Sequence, residues 1–158
     1  MVNLFNKEPL SKNLGLVAKM YLGVLSKLLD HLDIEKHFGI LVMIEQCEQG
    51  CTQQYIANAN RIDKASMVRI IDVLVERELI ERMVNPEDRR EHRIVLTEKA
   101  KKMMPELHKG IQELNKLCMH NLSQVEMEMF SKTLCVISDN LKNLPAHEIQ
   151  VCINKVKQ

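Results

Sequence analysis

At both ends of the chain, apolar residues recur at alternating spacings of four and three. Leu14, Ala18, Tyr21, Leu25, Leu28 and Leu32 do so near the N-terminus, with Leu22 and Leu29 widening the stripe. Met127, Phe130, Leu134, Ile137, Leu141 and Leu144 do so near the C-terminus. This spacing follows the turn of an α-helix and gives each segment one broad apolar face. Ser123 and Glu126 stand just before the second stripe as a capping box, in which each side chain satisfies a backbone N–H of the other residue. A third amphipathic stretch runs from Glu98 to His120 with Leu107, Ile111, Leu114 and Cys118 in phase. Pro105 lies inside it, and its ring removes a helical hydrogen bond and is expected to kink the helix. Helices with such faces need a surface to cover them. A four-helix bundle within one chain supplies one, and seams at both termini fit interlocking with a second copy better.

The middle third changes rhythm. Residues 38–47 (FGILVMIEQC) are helix-like, EQG makes a turn, and TQQYIANA (52–59) and DKASMVRIIDVLVERE (63–78) follow as two more helices. Thr52 and Asp63 stand where N-caps belong, each able to accept from a free helical N–H. On the last of these helices Val68, Ile71, Leu74 and Val75 are expected to face the core. LIERMV (79–84) and HRIVL (92–96) then favour strands, joined by a segment that Asn85 and Pro86 open as the first two positions of a type I turn. The order helix, helix, helix, hairpin predicts a mostly α fold with a small β-hairpin: a winged helix-turn-helix core at 36–97, with long dimerisation helices at 1–35 and 98–158.

Composition agrees with helix packing. Of the 158 residues 46% are hydrophobic, but only 3% are aromatic, with no Trp and 10 Met, whereas β-sandwich strands favour aromatic and β-branched residues. The formal net charge is +1, so whole-chain electrostatics do not announce a nucleic-acid partner. Residues 61–93 hold eight Arg or Lys and eight Asp or Glu, which sum to zero. Local placement must carry any such claim.

In a helix-turn-helix the second helix enters the major groove leading with its N-terminal turn. Lys64, Ala65, Ser66, Met67 and Arg69 are expected at the exposed start and flank of that helix. Ser66 can donate to a phosphate or base edge, Arg69 can bind phosphate or guanine, and Ala65 and Met67 can touch a thymine methyl. The competing reading is an ordinary capped surface helix. In the hairpin tip NPEDRREH (85–92), Arg89, Arg90 and His92 alternate with acids. Charge runs of this kind are usually solvated turns, yet one arginine held out on a rigid ribbon suits a narrow minor groove, and Asp88 can brace a neighbouring arginine.

The run TQQYIANANRIDKASMVRIIDVLVERELIERMVNPEDRREHRIVLTEKA closely resembles the DNA-binding core of the MarR/SlyA family of winged-helix transcriptional regulators. Its most specific element is the wing pattern Asp88-Arg89-Arg90 followed by Ile94-Val95-Leu96-Thr97, and Asp63 to Ser66 match the start of the recognition helix. The resemblance implies a homodimer on double-stranded DNA, with recognition helices in successive major grooves of a pseudo-palindrome and wings in the minor grooves. It assigns Ala65, Ser66, Met67 and Arg69 to base and phosphate contacts, Arg90 to the minor groove and Asp88 to its brace. It also implies release by a small effector such as an aromatic acid, bound between the dimerisation helices and the winged domain. The chain departs from the family at Glu78 and Ala100, where relatives often have Gly, and at Asn60-Arg61, which replace a common Leu-Gly. That replacement leaves the turn geometry open, and Asn60 tolerates the left-handed conformation that a helix end often needs.

Other classes fit less well. There is no nucleophile elbow, Gly-rich phosphate loop or paired-carboxylate motif, so no catalysis and no cofactor are expected. The six His are scattered without metal-ligand spacing. No apolar run approaches the roughly 20 residues that span a bilayer, and the N-terminus lacks the apolar core of a secretory signal; a soluble cytoplasmic protein with reduced thiols is expected. Of the five cysteines, Cys47 and Cys51 are four apart near a helix end and could approach each other; the alternatives are a cysteine-based sensor or simple packing. A winged helix serving as a protein-interaction module is the competitor from another class.

Overall fold

The computed structural model describes residues 9–34, 36–84 and 92–144. The chain forms two compact units, Met1–Asn115 and Lys116–Gln158. The first contains α1 (Leu10–Leu28), a 3-10 turn (Asp30–Leu32), α2 (Phe38–Glu45), β1 (Cys51–Thr52), α3 (Gln53–Asn60), α4 (Lys64–Glu76), β2 (Ile80–Val84), β3 (His92–Leu96) and most of α5 (Glu98–Cys118). The second contains α6 (Gln124–Asn143).

The predicted hairpin is present, with β2 antiparallel to β3 from Ile80 opposite Leu96 to Val84 opposite His92. Sequence reasoning misses β1, which pairs Cys51 with Ile94 and Thr52 with Arg93 and makes a three-stranded sheet of order β1-β3-β2. Two residues carry no periodicity. They form a strand only because the turn after α2 lays them beside β3.

The core of the first unit joins Leu25 and Leu29 to Phe38, Leu41 and Ile44 of α2, Ile56 of α3, Ile71 of α4, Ile94 of β3, and Met104 and Leu107 of α5. Only part of the first apolar stripe therefore enters the core: Leu25 and Leu29 are buried, whereas Leu14 and Leu28 are exposed. Where α5 passes the end of α1, a Cβ at Gly110 would lie 2.8 Å from Leu29 Cδ2, so a residue without a side chain permits the close approach. Pro105 sits within α5, whose helix runs on through it to Cys118.

In the second unit, the capping box at Ser123 forms in full: Glu126 N donates to Ser123 Oγ, and Ser123 N donates to Glu126 Oε2 at 2.8 Å. The α6 helix buries none of its described residues, with Val125, Met129, Phe130, Val136 and Leu141 all exposed.

Candidate nucleic-acid interface

Two caps frame the helix-turn-helix. Thr52 Oγ1 accepts from Tyr55 N at 3.1 Å, and Asp63 Oδ1 accepts from Ser66 N at 2.9 Å. Bonds to Ser66, from its side chain first and its backbone second, hold the Asp63 carboxyl below its usual 3.8. Asp63 is thus a fixed anion that satisfies the helix rather than repelling a ligand.

The structure settles the turn between α3 and α4, which the sequence left open. Arg61, not Asn60, takes the left-handed conformation (φ 51°), and Ile62 N closes the turn onto Ala57 O at 3.0 Å. Asn60 remains helical and spends its amide inward, donating to Ile56 O at 2.8 Å and to Met43 Sδ at 3.5 Å. Its side chain therefore ties α3 to α2.

The phase of α4 also needs correction. Met67, Ile71 and Leu74 are each 0% exposed and form its buried stripe. Val68, expected in the core, is exposed, and Met67, expected to face DNA, is in the core. Both residues lie one helical turn before Ile71, at i−4 and i−3, so spacing alone admits either. Packing selects the methionine, and its thioether cannot reach a base. Ile70 and Val75 pack part-buried against the core.

The rest of the expected set stands on the surface: Lys64, Ala65 and Arg69 are exposed and Ser66 is half-buried. Asp88, Arg89 and Arg90 lie outside the described residues, as does the turn opened by Asn85 and Pro86.

Among the described residues, several charges of 61–93 have partners within the protein. Arg82 Nη2 pairs with Asp72 Oδ1, joining the wing strand β2 to α4. Arg77 Nη1 donates to both Asp33 O and Asp33 Oδ1 at 2.7 Å, fastening the end of α4 to the corner after α1. Arg93 Nη1 donates to Gln49 O at 3.2 Å. Asp63 is consumed as a cap. Lys64 and Arg69 are exposed basic side chains of α4, and Lys64 stands in its first turn, where aligned peptide dipoles favour an anion.

Thr97, the last residue of the wing motif, has a structural role. Its hydroxyl donates to Glu78 O at 2.6 Å and accepts from Ala100 N at 3.2 Å, capping α5 and closing the base of the wing. Tyr55, passed over in the sequence, is 55% exposed in the first turn of α3. Its position in a helix that packs on α4 marks it only once the tertiary structure is known.

Residues 35–92 match the family model described as "MarR family". Among solved structures, MarR from E. coli in its apo form is 25% identical, covering 84% of this chain and 98% of that one with a TM-score of 0.68. The transcriptional regulator SlyA is 24% identical, covering 85% and 94% with a TM-score of 0.77. A MarR family regulator from Listeria monocytogenes, solved with a 26mer DNA, is 19% identical, covering 85% and 89% with a TM-score of 0.75. Residues 35–92 thus match the MarR family model, within a chain that has the winged-helix fold of the MarR and SlyA transcriptional regulators.

Proposed function

We propose that this protein is a sequence-specific DNA-binding regulator of transcription, a homodimer that represses from a pseudo-palindromic operator and lets go when a small effector binds. The family is one of regulators rather than enzymes. In this reading residues 36–97 contact double-stranded DNA, and residues 1–35 and 98–158 hold the dimer together. The observation that carries the reading is the sorting of charge on α4: the nearby acids Asp63 and Asp72 are engaged within the protein, while Lys64 and Arg69 face outward. That a Listeria relative was solved with a 26mer DNA supports DNA binding as the use of the fold.

Lys64 then serves a phosphate, and Arg69 a phosphate or the O6 and N7 of guanine. Ala65, together with Val68 in place of the buried Met67, offers a methyl-sized apolar contact to thymine. The Ser66 hydroxyl already bonds Asp63, which leaves its oxygen to accept from a base amino group. Tyr55 adds a hydroxyl where the first helix crosses the backbone. Arg90 enters the minor groove with Asp88 as its brace and Arg89 beside it. An aromatic acid as effector would bind between the dimerisation helices and the winged domain.

Selection of genomic fragments by the purified protein tests the reading. The expected result is a recovered pseudo-palindromic site to which Arg90→Ala binds about 1–3 kcal/mol more weakly. Equal binding by that variant would overturn the wing assignment. A wild-type protein that recovers no fragment would favour a protein-interaction module, which the exposed Met83 and Val84 on edge strand β2 would serve.

A further inference from the structure

Cys47 and Cys51 flank a turn that is closed and wedged in place. Gly50 N donates to Cys47 O at 2.8 Å. Gly50 has φ 75°, and a Cβ there would lie 2.7 Å from Val95 Cγ1 and 3.0 Å from Ile94 O, so β3 presses directly on the turn. The two thiols line one cleft of about 420 Å³ together with Thr52, Tyr55 and Arg93. Cys47 is half-buried and Cys51 buried.

The thiols are also hydrogen-bonded to each other; burial first, then that bond and the charge of Cys47, push the Cys51 thiol up to about 12. Attack on a peroxide or disulfide requires a thiolate, and a thiol held protonated is badly suited to it. Condensation with a hydroxyl on a soft, thiophilic centre is different, because the thiol proton leaves as water. Two soft sulfur donors fixed side by side select that class of ligand.

We propose that Cys47 and Cys51 form a dithiol site for trivalent arsenicals. An organoarsenic dihydroxide, R–As(OH)₂, reacts with both thiols: two As–O bonds break, two S–As bonds form, two waters leave, and arsenic stays trivalent. The site reaches into the fold on both sides, since Cys51 pairs with Ile94 of the wing and adjoins Thr52, the cap of α3. It is independent of whether the domain binds DNA.

The test is titration of the reduced full-length protein with phenylarsine oxide in excess glutathione, a monothiol that strips adducts held by one sulfur. Tryptic mass mapping follows. The segment 37–61, bounded by Lys36 and Arg61, contains Cys47 and Cys51 and no other cysteine. The expected result is one adduct per chain on that peptide, with the mass of one phenylarsenic group less two hydrogens, released by dithiothreitol and abolished in Cys47→Ala. An adduct on another peptide, none surviving glutathione, or one retained in Cys47→Ala would overturn the proposal. The wild-type peptide map stands by itself should that variant fail to fold.

Discussion

Asp63 holds the start of α4 by accepting the Ser66 N–H, and this leaves the exposed turn beyond it open to an anion. Its carboxyl pKa is lowered on folding by the bonds to Ser66. The folded state therefore binds its proton less readily than the unfolded chain does. The cap's contribution is present above the usual value of 3.8 and is lost as pH falls through the lower folded value. Asp63→Asn keeps the capping oxygen without the charge, so its urea midpoint should fall less than wild type between about pH 5 and about pH 2; parallel declines would contradict the assignment. Met67 and Val68 make a sharper pair. Emptying the buried site with Met67→Ala should cost about 2–5 kcal/mol in urea unfolding. Val68→Ala should cost less than about 1 kcal/mol, because its side chain is already partly in water. Caps are legible in the sequence because they depend on chemistry three residues away. The choice between Met67 and Val68 is not, because it depends on which side chain fits against other elements.

Elements are joined by a few polar links that the sequence does not disclose. Arg82 with Asp72 fastens the wing to α4, and Arg77 with Asp33 fastens α4 to the corner after α1. Each pair is distant in sequence, so composition registers only cancelling charges. The hairpin strands are legible from their β-branched runs; β1 is not, because its pairing with β3 is long-range. Backbone conformation shows what two departures from glycine cost. Arg61 and Glu78 both have positive φ, 51° and 59°, which is the conformation glycine adopts without a Cβ penalty. Glu78 has an exposed side chain and its carbonyl already accepts from Thr97 Oγ1. Glu78→Gly should therefore stabilise the fold by about 0.5–1 kcal/mol, the relieved backbone strain less the added entropy of the unfolded glycine. A lowered urea midpoint would show that the left-handed residue is not strained.

At the scale of the whole molecule, a single chain leaves large apolar faces in water. Leu16, Val17, Met20 and Val24 of α1 are each more than half exposed, and α6 buries nothing among its described residues. Such surface marks an interaction site, and the proposed homodimer would cover it with a second copy. The apolar stripes at both termini are legible in the sequence, because their spacing follows the turn of a helix. The outward-facing charge is not legible there, because a count of acids weighs Asp63 and Asp72 equally with those that have no internal task. That sorting is the basis of the DNA-binding reading, and a salt titration tests it most directly. With a recovered operator fragment, log affinity should fall linearly with log salt, and Lys64→Ala should make the slope shallower by about 0.9 for each phosphate that the lysine no longer neutralises. An affinity indifferent to salt, or a slope unchanged by Lys64→Ala, would contradict the account.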